Sequence, residues 1–315
     1  MAAKKDKSGK PLAENRLESA VSRLCDPDSY RQVMFRDIHH MPMPSVQVLG
    51  QIVEQLRAIL FPGYFGFPDL KPENMIYHIG SAVDRVSRLL ADQFRSGFCM
   101  ACTEEDASQC ATCDARSEEC VTGFLSALPE IRRLLAGDVQ AAYLGDPASR
   151  DQNEVIFCYP SIKALTSYRI AHEIYRLEVP LIPRIVTEMA HSETGIDIHP
   201  GASIDEQFFI DHGTGTVIGE TTIIGRNVRI YQGVTLGAKS FPLDQDGNPI
   251  KGIPRHPIVE DDVIIYSGAT ILGRITVGRG AVVGGNVWIT ENVEPGARVL
   301  QHLPRPAVFA DGSGI

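Results

Sequence analysis

From Val259 to Val293 the apolar positions recur every six residues. Val259, Ile265, Ile271, Val277, Val283 and Ile289 form one series, and Val263, Ala269, Ile275, Ala281, Val287 and Val293 form a second, four places on. Neither the 3.6-residue period of a helix nor the alternation of an ordinary strand produces such a series. A six-residue period means a flat side and a corner, repeated. The first aliphatic residue of each hexad points inward, and the small or β-branched residue fits where the interior narrows. Gly273, Gly278, Gly280 and Gly284 fall near the bends. Three such sides close one coil, and coils stack as parallel strands about 4.8 Å apart. The pattern predicts a left-handed parallel β-helix of hexapeptide repeats, whose core forms only when neighbouring coils stack.

The same period appears earlier. Ile198, Ile204 and Ile210 are six apart, two extra residues follow beside His212 and Gly213, and the phase resumes at Ile218, Ile224, Ile230 and Leu236. A second interruption, from Ala238 to Ile258, contains Arg255-His256-Pro257. A regular repeat broken twice, with a histidine at each break, suggests functional groups placed on a rigid scaffold.

Ahead of the repeat the pattern is helical. Apolar stripes run through Ile52–Leu60, Ile79–Phe94, Val121–Leu144 (with a break expected near Pro129), Ile162–Leu177 and Leu181–Ala190. The expected class is α+β: a basic, disordered arm over 1–28, an α-helical domain over 29–194 with a cysteine-rich loop at 99–120, a catalytic β-helix over 195–300 with a loop at 238–257, and a tail over 301–315.

Composition narrows the partners. The 315-residue chain has a net charge of −9, which argues against nucleic acid or an anionic membrane surface. No apolar run approaches the roughly 20 residues needed to span a bilayer, and the basic first ten residues lack a secretory apolar segment. These features predict a cytoplasmic protein. Cys99-x-x-Cys102 and Cys110-x-x-Cys113 could give four thiolates to a structural zinc or an iron–sulfur cluster. Their separation is shorter than the usual zinc-ribbon spacing, and unligated thiols are the competing reading.

Chemistry gathers at the two breaks. Asp197 and His212 are fifteen residues apart, so they can share one edge on adjacent coils. A carboxylate touching an imidazole fixes its tautomer and stabilises the cation formed when it takes a proton. Such a pair can deprotonate a hydroxyl. Arg255 can grip a carboxylate with two parallel hydrogen bonds.

Asp197-Ile198-His199-Pro200, Asp211-His212-Gly213-Thr214-Gly215, Gln232-Gly233-Val234-Thr235-Leu236-Gly237 and Arg255-His256-Pro257 together resemble the serine O-acetyltransferase family in its long form. The match reaches back through Asp146-Pro147-Ala148 to Tyr168-Arg169-Ile170. The resemblance implies transfer of acetyl from acetyl-CoA to the hydroxyl of L-serine for cysteine biosynthesis. It implies His212 as general base with Asp197 orienting it, Asp146 and Asp211 facing the serine amine, and Arg255 and His256 holding its carboxylate. It further implies that Gly237, Ala238, Ser267 and Gly285 border the CoA arm. It also implies feedback by L-cysteine, a trimer or dimer of trimers, and a C-terminal Ile315 that binds O-acetylserine sulfhydrylase. Three readings compete with it: another hexapeptide acyltransferase, a metal-dependent lyase built on His199, His212 and His256, and a non-catalytic scaffold for the sulfhydrylase.

Overall fold

The computed structural model describes residues 12–35, 41–66, 69–102 and 110–301. The chain divides into two compact units, Met1–Met41 and Pro42–Ile315. Within the arm expected to be disordered over 1–28, the described residues form α1 (Leu12–Leu24) and α2 (Pro27–Tyr30), and residues 1–11 lie outside the described residues. Leu17, Val21 and Leu24 follow helical spacing, a stripe too short to stand out among the flanking charges. Asp26 caps α2 by accepting from the Asp28 N–H, with Pro27 at the first helical position.

The second unit begins with six helices: α3 (Val46–Leu60), α4 (Met75–Ala101), α5 (Cys110–Gly145), α6 (Gln152–Cys158), α7 (Pro160–Arg176) and α8 (Ile182–Thr194). Ser45 caps α3 through the Val48 N–H at 3.3 Å. Helix α5 passes through Pro129 without the expected break. A mid-helix proline costs about 3 kcal/mol. Here the stripe Phe124, Leu128, Ile131, Leu135 and Val139 is buried, and burial of each such side chain returns roughly 1.5–3 kcal/mol. The cysteine-rich stretch is likewise mostly helix rather than loop. Cys99 lies in the last turn of α4 and Cys113 in the first turns of α5, both buried. Ser117 Oγ donates to Ala91 O at 2.8 Å and Arg95 meets Asp114 at 2.5 Å, so α4 and α5 pair antiparallel.

Helix α8 ends at Gly195, whose φ of 70° is the left-handed conformation that closes a helix. The β-helix follows. Its faces are three parallel sheets: β1 (Asp197–Ile198), β4 (Val217–Ile218), β7 (Thr235–Gly237), β10 (Thr270–Leu272) and β13 (Trp288–Ile289); then β2 (Ser203–Ile204), β5 (Ile223–Ile224), β8 (Ile258–Val259) and β11 (Thr276–Val277); then β3 (Phe209–Ile210), β6 (Arg229–Ile230), β9 (Ile264–Ile265), β12 (Val282–Val283) and β14 (Arg298–Val299). The second residue of nearly every strand is buried, and these aliphatics form the prism core. Regular coils pair Ile218 with Leu236 and Ile271 with Ile289. The first coil pairs Ile198 with Ile218, two residues further on, because of the longer corner at His212. Leu236 pairs with Ile271 across the long 238–257 excursion.

The helices are tied to the first coil through buried polar groups. Arg169 and Asp138, 3% and 0% exposed, form a two-pronged ion pair at 2.6 and 2.8 Å. Asp138 also accepts from Phe208 N at 3.0 Å, and Arg169 donates to Asp205 O at 3.0 Å. Tyr168 Oη donates to Ala202 O at 2.6 Å. A buried charge is tolerable only when its remaining hydrogen-bonding positions are filled, as they are here. The Tyr168-Arg169-Ile170 motif is thus the socket that seats α7 on the prism.

Candidate active site

The expected site residues fall on two corners of the prism. The corner between the third and first faces carries Asp211 and His212. Asp211 leaves β3 and donates its N–H to Ile230 O at 2.9 Å. The two extra residues then force a wide turn, with His212 at φ 56°, Gly213 at 86° and Gly215 at 77°. A non-glycine residue held there costs on the order of 1–3 kcal/mol. The turn pushes the imidazole outward: the His212 side chain is 72% exposed, and its nearest carboxylate is Asp211, 3.8 Å from Nε2.

Asp146 reaches this corner from the end of α5. Arg229 Nη1 donates to Gly145 O at 3.1 Å, and a Cβ on Gly145 would lie 2.7 Å from the Phe209 ring, so the helix end can press directly on the prism. Asp146 accepts from the Tyr159 hydroxyl and from Ala148 N at 2.8 Å. The Tyr159 hydrogen bond, then the Ala148 N–H, hold its carboxyl below the usual range, and His212 adds attraction. Burial, then the hydrogen bond to Asp146, pushes the Tyr159 phenol upward. Asp146 therefore faces His212 as a carboxylate. Sequence reasoning missed Tyr159, which looked only like the residue before a proline-started helix. Above His212 on the same corner, along the prism axis, lie Ser267 and Gly285, whose added Cβ would meet Ser267 O at 3.1 Å.

The corner between the first and second faces carries Arg255 and His256, at the end of the 238–257 loop. Arg255 Nη2 meets Glu220 Oε2 at 2.6 Å, both side chains largely covered. Glu220 also accepts from the Tyr175 hydroxyl at 3.4 Å, and Tyr175 sits edge-on to His199. His256 is 7% exposed. Burial and the Arg255 charge push its pKa down to about 4, so it is neutral at physiological pH. Gly237 and Ala238 begin the same excursion. Glu220, Thr221 and Tyr175 were not expected from sequence, where Glu220-Thr221 reads as ordinary solvent-facing corner residues. The one available signal was their place a single rung below the loop end.

The spacing leads to the expectation that Asp197 pairs with His212. Asp197 shares the His212 corner one rung below, as shown by Asp197 N donating to Thr216 O at 2.9 Å and Gly215 N to Gly195 O at 2.8 Å. Within the described chain, however, no hydrogen bond or ion pair joins Asp197 to His212. Asp197 gathers with Glu188 and His191 of α8, their donor atoms within 4.8 Å of one another. That is the one group of three metal-capable side chains among the described residues, and no cysteine belongs to it. The four-thiolate centre therefore finds no support: Cys99, Cys102 and Cys113 do not converge, and the side chain of Cys110 lies outside the described residues. Cys99 and Cys113 are buried where α4 pairs with α5, and Cys120 Sγ lies 3.5 Å from Leu177 O. His199 and His256 lie on one corner and His212 on the other, so a single chain does not bring the three histidines together. The tail with Ile315 also lies outside the described residues.

A cleft of about 640 Å³ between α7, α8 and the first coil is lined by Tyr175, Arg184 and Gly201, but not by His212, Arg255 or His256. The candidate reacting groups stand at the two prism corners instead. Among the described residues no helix is long and apolar enough to cross a membrane.

No family model matches the chain. A plasmid-encoded serine acetyltransferase of Synechococcus elongatus is 52% identical over 303 residues, covering 95% of each chain. The serine acetyltransferase of Bacillus licheniformis is 42% identical over 183 residues, 58% of this chain and 80% of that one. Among solved structures, serine acetyltransferase 1 of Entamoeba histolytica in complex with L-cysteine superposes with a TM-score of 0.69 at 36% identity, covering 92% of this chain and 99% of that one. With nearly full-length identity above half and a shared helical-plus-prism architecture, the chain belongs to the serine acetyltransferase family.

Proposed function

We propose that this protein transfers the acetyl group of acetyl-CoA to the hydroxyl of L-serine, with His212 as general base. The observation that carries this reading is an outward imidazole flanked by the carboxylates of Asp146 and Asp211, in a chain of this family. The serine ammonium sits between Asp146 and Asp211, and Arg255 and His256 hold its carboxylate. His212 takes the hydroxyl proton as the serine oxygen bonds to the thioester carbon. The C–S bond then breaks, and the imidazolium returns the proton to the departing thiolate. Gly237 and Ala238 on one corner, and Ser267 and Gly285 on the other, border the CoA arm. Asp197 is the carboxylate proposed to orient His212 once the site is closed.

In one chain the two corners lie on opposite edges of the first face. The reading therefore includes a threefold assembly in which one prism's His212 corner meets a neighbour's Arg255 corner; a dimer of trimers is its extended form. L-cysteine, bound in the Entamoeba relative, would compete with serine through the same amine and carboxylate contacts. Ile315 is proposed to dock into O-acetylserine sulfhydrylase, and its deletion should abolish that binding while leaving acetyl transfer intact. A cytoplasmic setting fits the unoxidised thiols of Cys25, Cys102, Cys120 and Cys158.

The deciding experiment is release of CoA thiol from acetyl-CoA and L-serine by wild type and His212→Ala. Serine-dependent release that His212→Ala abolishes supports the reading. Equal release by both overturns the base, and no release with serine overturns the substrate.

A further inference from the structure

The Arg255 corner contains a set of hydrogen bonds that leaves His256 a single proton position. Thr221 N donates to His256 Nδ1 at 3.1 Å. A backbone N–H can only donate, so Nδ1 is an acceptor and the ring proton lies on Nε2. The Thr221 hydroxyl completes the arrangement. Its oxygen accepts from Arg255 N at 2.9 Å and from His256 N at 3.1 Å. With both lone pairs used, its own hydrogen points to the ring nitrogen, 2.9 Å away. One side chain therefore ties down the end of the long loop and fixes the tautomer of the histidine that loop delivers.

Gly219 makes the space. A Cβ there would lie 2.1 Å from His256 Cδ2 and 2.2 Å from Nε2, so the Cδ2–Nε2 edge of the imidazole occupies the space that a side chain at 219 would take. Its φ is not left-handed, so the requirement is for room rather than for backbone freedom. Among the described residues Nε2 has no partner in the chain, so it is the one polar atom of the ring still able to bond outward.

We propose that Gly219 and Thr221 are positioning residues for His256, holding it as the neutral Nε2–H tautomer with that N–H aimed at the substrate carboxylate. This rests on the reading that His256 holds substrate. It divides the labour at that corner: Arg255 supplies the charge and His256 a directed neutral donor. The groups facing the ring are Arg255, Glu220, His199 and Arg274. Burial and the neighbouring guanidinium keep the ring uncharged at neutral pH, so the Nε2–H donor persists there.

The test uses the full chain with ¹⁵N-labelled histidine and a two-bond ¹⁵N–¹H correlation spectrum, with His256 assigned by its loss in His256→Asn. The expected wild-type spectrum shows the Nε2–H pattern at neutral pH. Thr221→Val and Gly219→Ala should each raise the KM for serine about tenfold or more while moving the KM for acetyl-CoA less than about twofold, and Thr221→Ser should restore the serine value. An Nδ1–H pattern in the wild type overturns the proposal, as does an unchanged serine KM in both Thr221→Val and Gly219→Ala. If Thr221→Val fails to fold, the wild-type spectrum and Gly219→Ala still decide. His256→Ala separates the underlying reading: an unchanged serine KM there, beside an intact Nε2–H spectrum, overturns the role of His256 in holding substrate and this positioning role with it.

Discussion

The two corners that flank the first face of the prism are built on opposite plans. At the Arg255 corner each functional group is held by several others: Glu220 grips the guanidinium, Thr221 grips the backbone and ring of His256, and Tyr175 braces Glu220. At the other corner His212 stands outward, with one carboxylate 3.8 Å away. The difference follows from the jobs proposed for them. A clamp for an amino-acid carboxylate gains from being rigid before substrate arrives, since ordering it on binding would cost affinity. A base must take and return a proton, and its environment is completed by substrate and by the neighbouring prism. The strongest break of this comparison is His212→Ala, which should lower kcat by about 10²–10⁴-fold while serine binding, measured by calorimetry, stays within about threefold. A comparable loss of binding would mean that the corner is a clamp as well.

The open corner depends on the helices that deliver Asp146, and those helices depend on the ion pair beneath them. Asp138→Ala leaves Arg169 buried without its partner, which should cost about 3–5 kcal/mol of unfolding free energy. Denaturant unfolding measures it. Below the transition the variant should bind serine more weakly, because α5 no longer seats Asp146 against His212. A destabilised variant with unaltered serine affinity would show that Asp146 is placed independently of the Asp138 anchor.

Much of this plan was legible in the chain, for a physical reason. A prism core accepts only aliphatic residues at fixed intervals, so the series from Ile198 to Ile289 announces faces, coils and register together. The interruptions at His212 and at 238–257 stood out against that regularity, and they carry both corners. What could not be read was polar reach. Thr221 and Glu220 look like any solvated corner pair until the loop end folds back on them. Counting assigns Asp197 and His212 to one edge, but it cannot show which side chains each of them meets. The paired cysteines suggested a ligand set, but their spacing could not show that Cys99 and Cys113 are buried in a helix pair. Pro129 suggested a break that the packing of its helix overrides.

The closed corner also predicts a pH signature. His256 has a folded pKa of about 4 against an ordinary 6.5. Above pH 6.5 the ring is neutral folded or unfolded and contributes nothing to pH dependence. Between 6.5 and about 4 the unfolded chain takes up a proton that the folded chain refuses, so stability falls as pH falls through this window, by up to about 3 kcal/mol at its lower end. His172 and His199, also lowered chiefly by burial, act in the same direction. Denaturant unfolding at several pH values should show this slope, and His256→Gln should flatten it. An unchanged slope would mean that the ring titrates freely and that the corner is less closed than its hydrogen bonds indicate.

The finest discrimination concerns which carboxylate serves the base. In the single chain Asp211 touches His212, while Asp197, one rung below on the same corner, gathers with Glu188 and His191. The two candidates make different predictions because an orienting carboxylate acts on the proton transfer, whereas one that faces the serine amine acts on binding. If Asp197 turns to the imidazole in the closed site, Asp197→Asn should lower kcat about tenfold or more and shift the acid limb of the kcat profile to lower pH, since the imidazolium loses its stabilising charge. Asp211→Asn should instead raise the KM for serine about tenfold and leave that limb in place. The reverse assignment of the two signatures would make Asp211 the partner of the base. Asp197 would then belong to the α8 junction, holding the entry of the chain into its first coil.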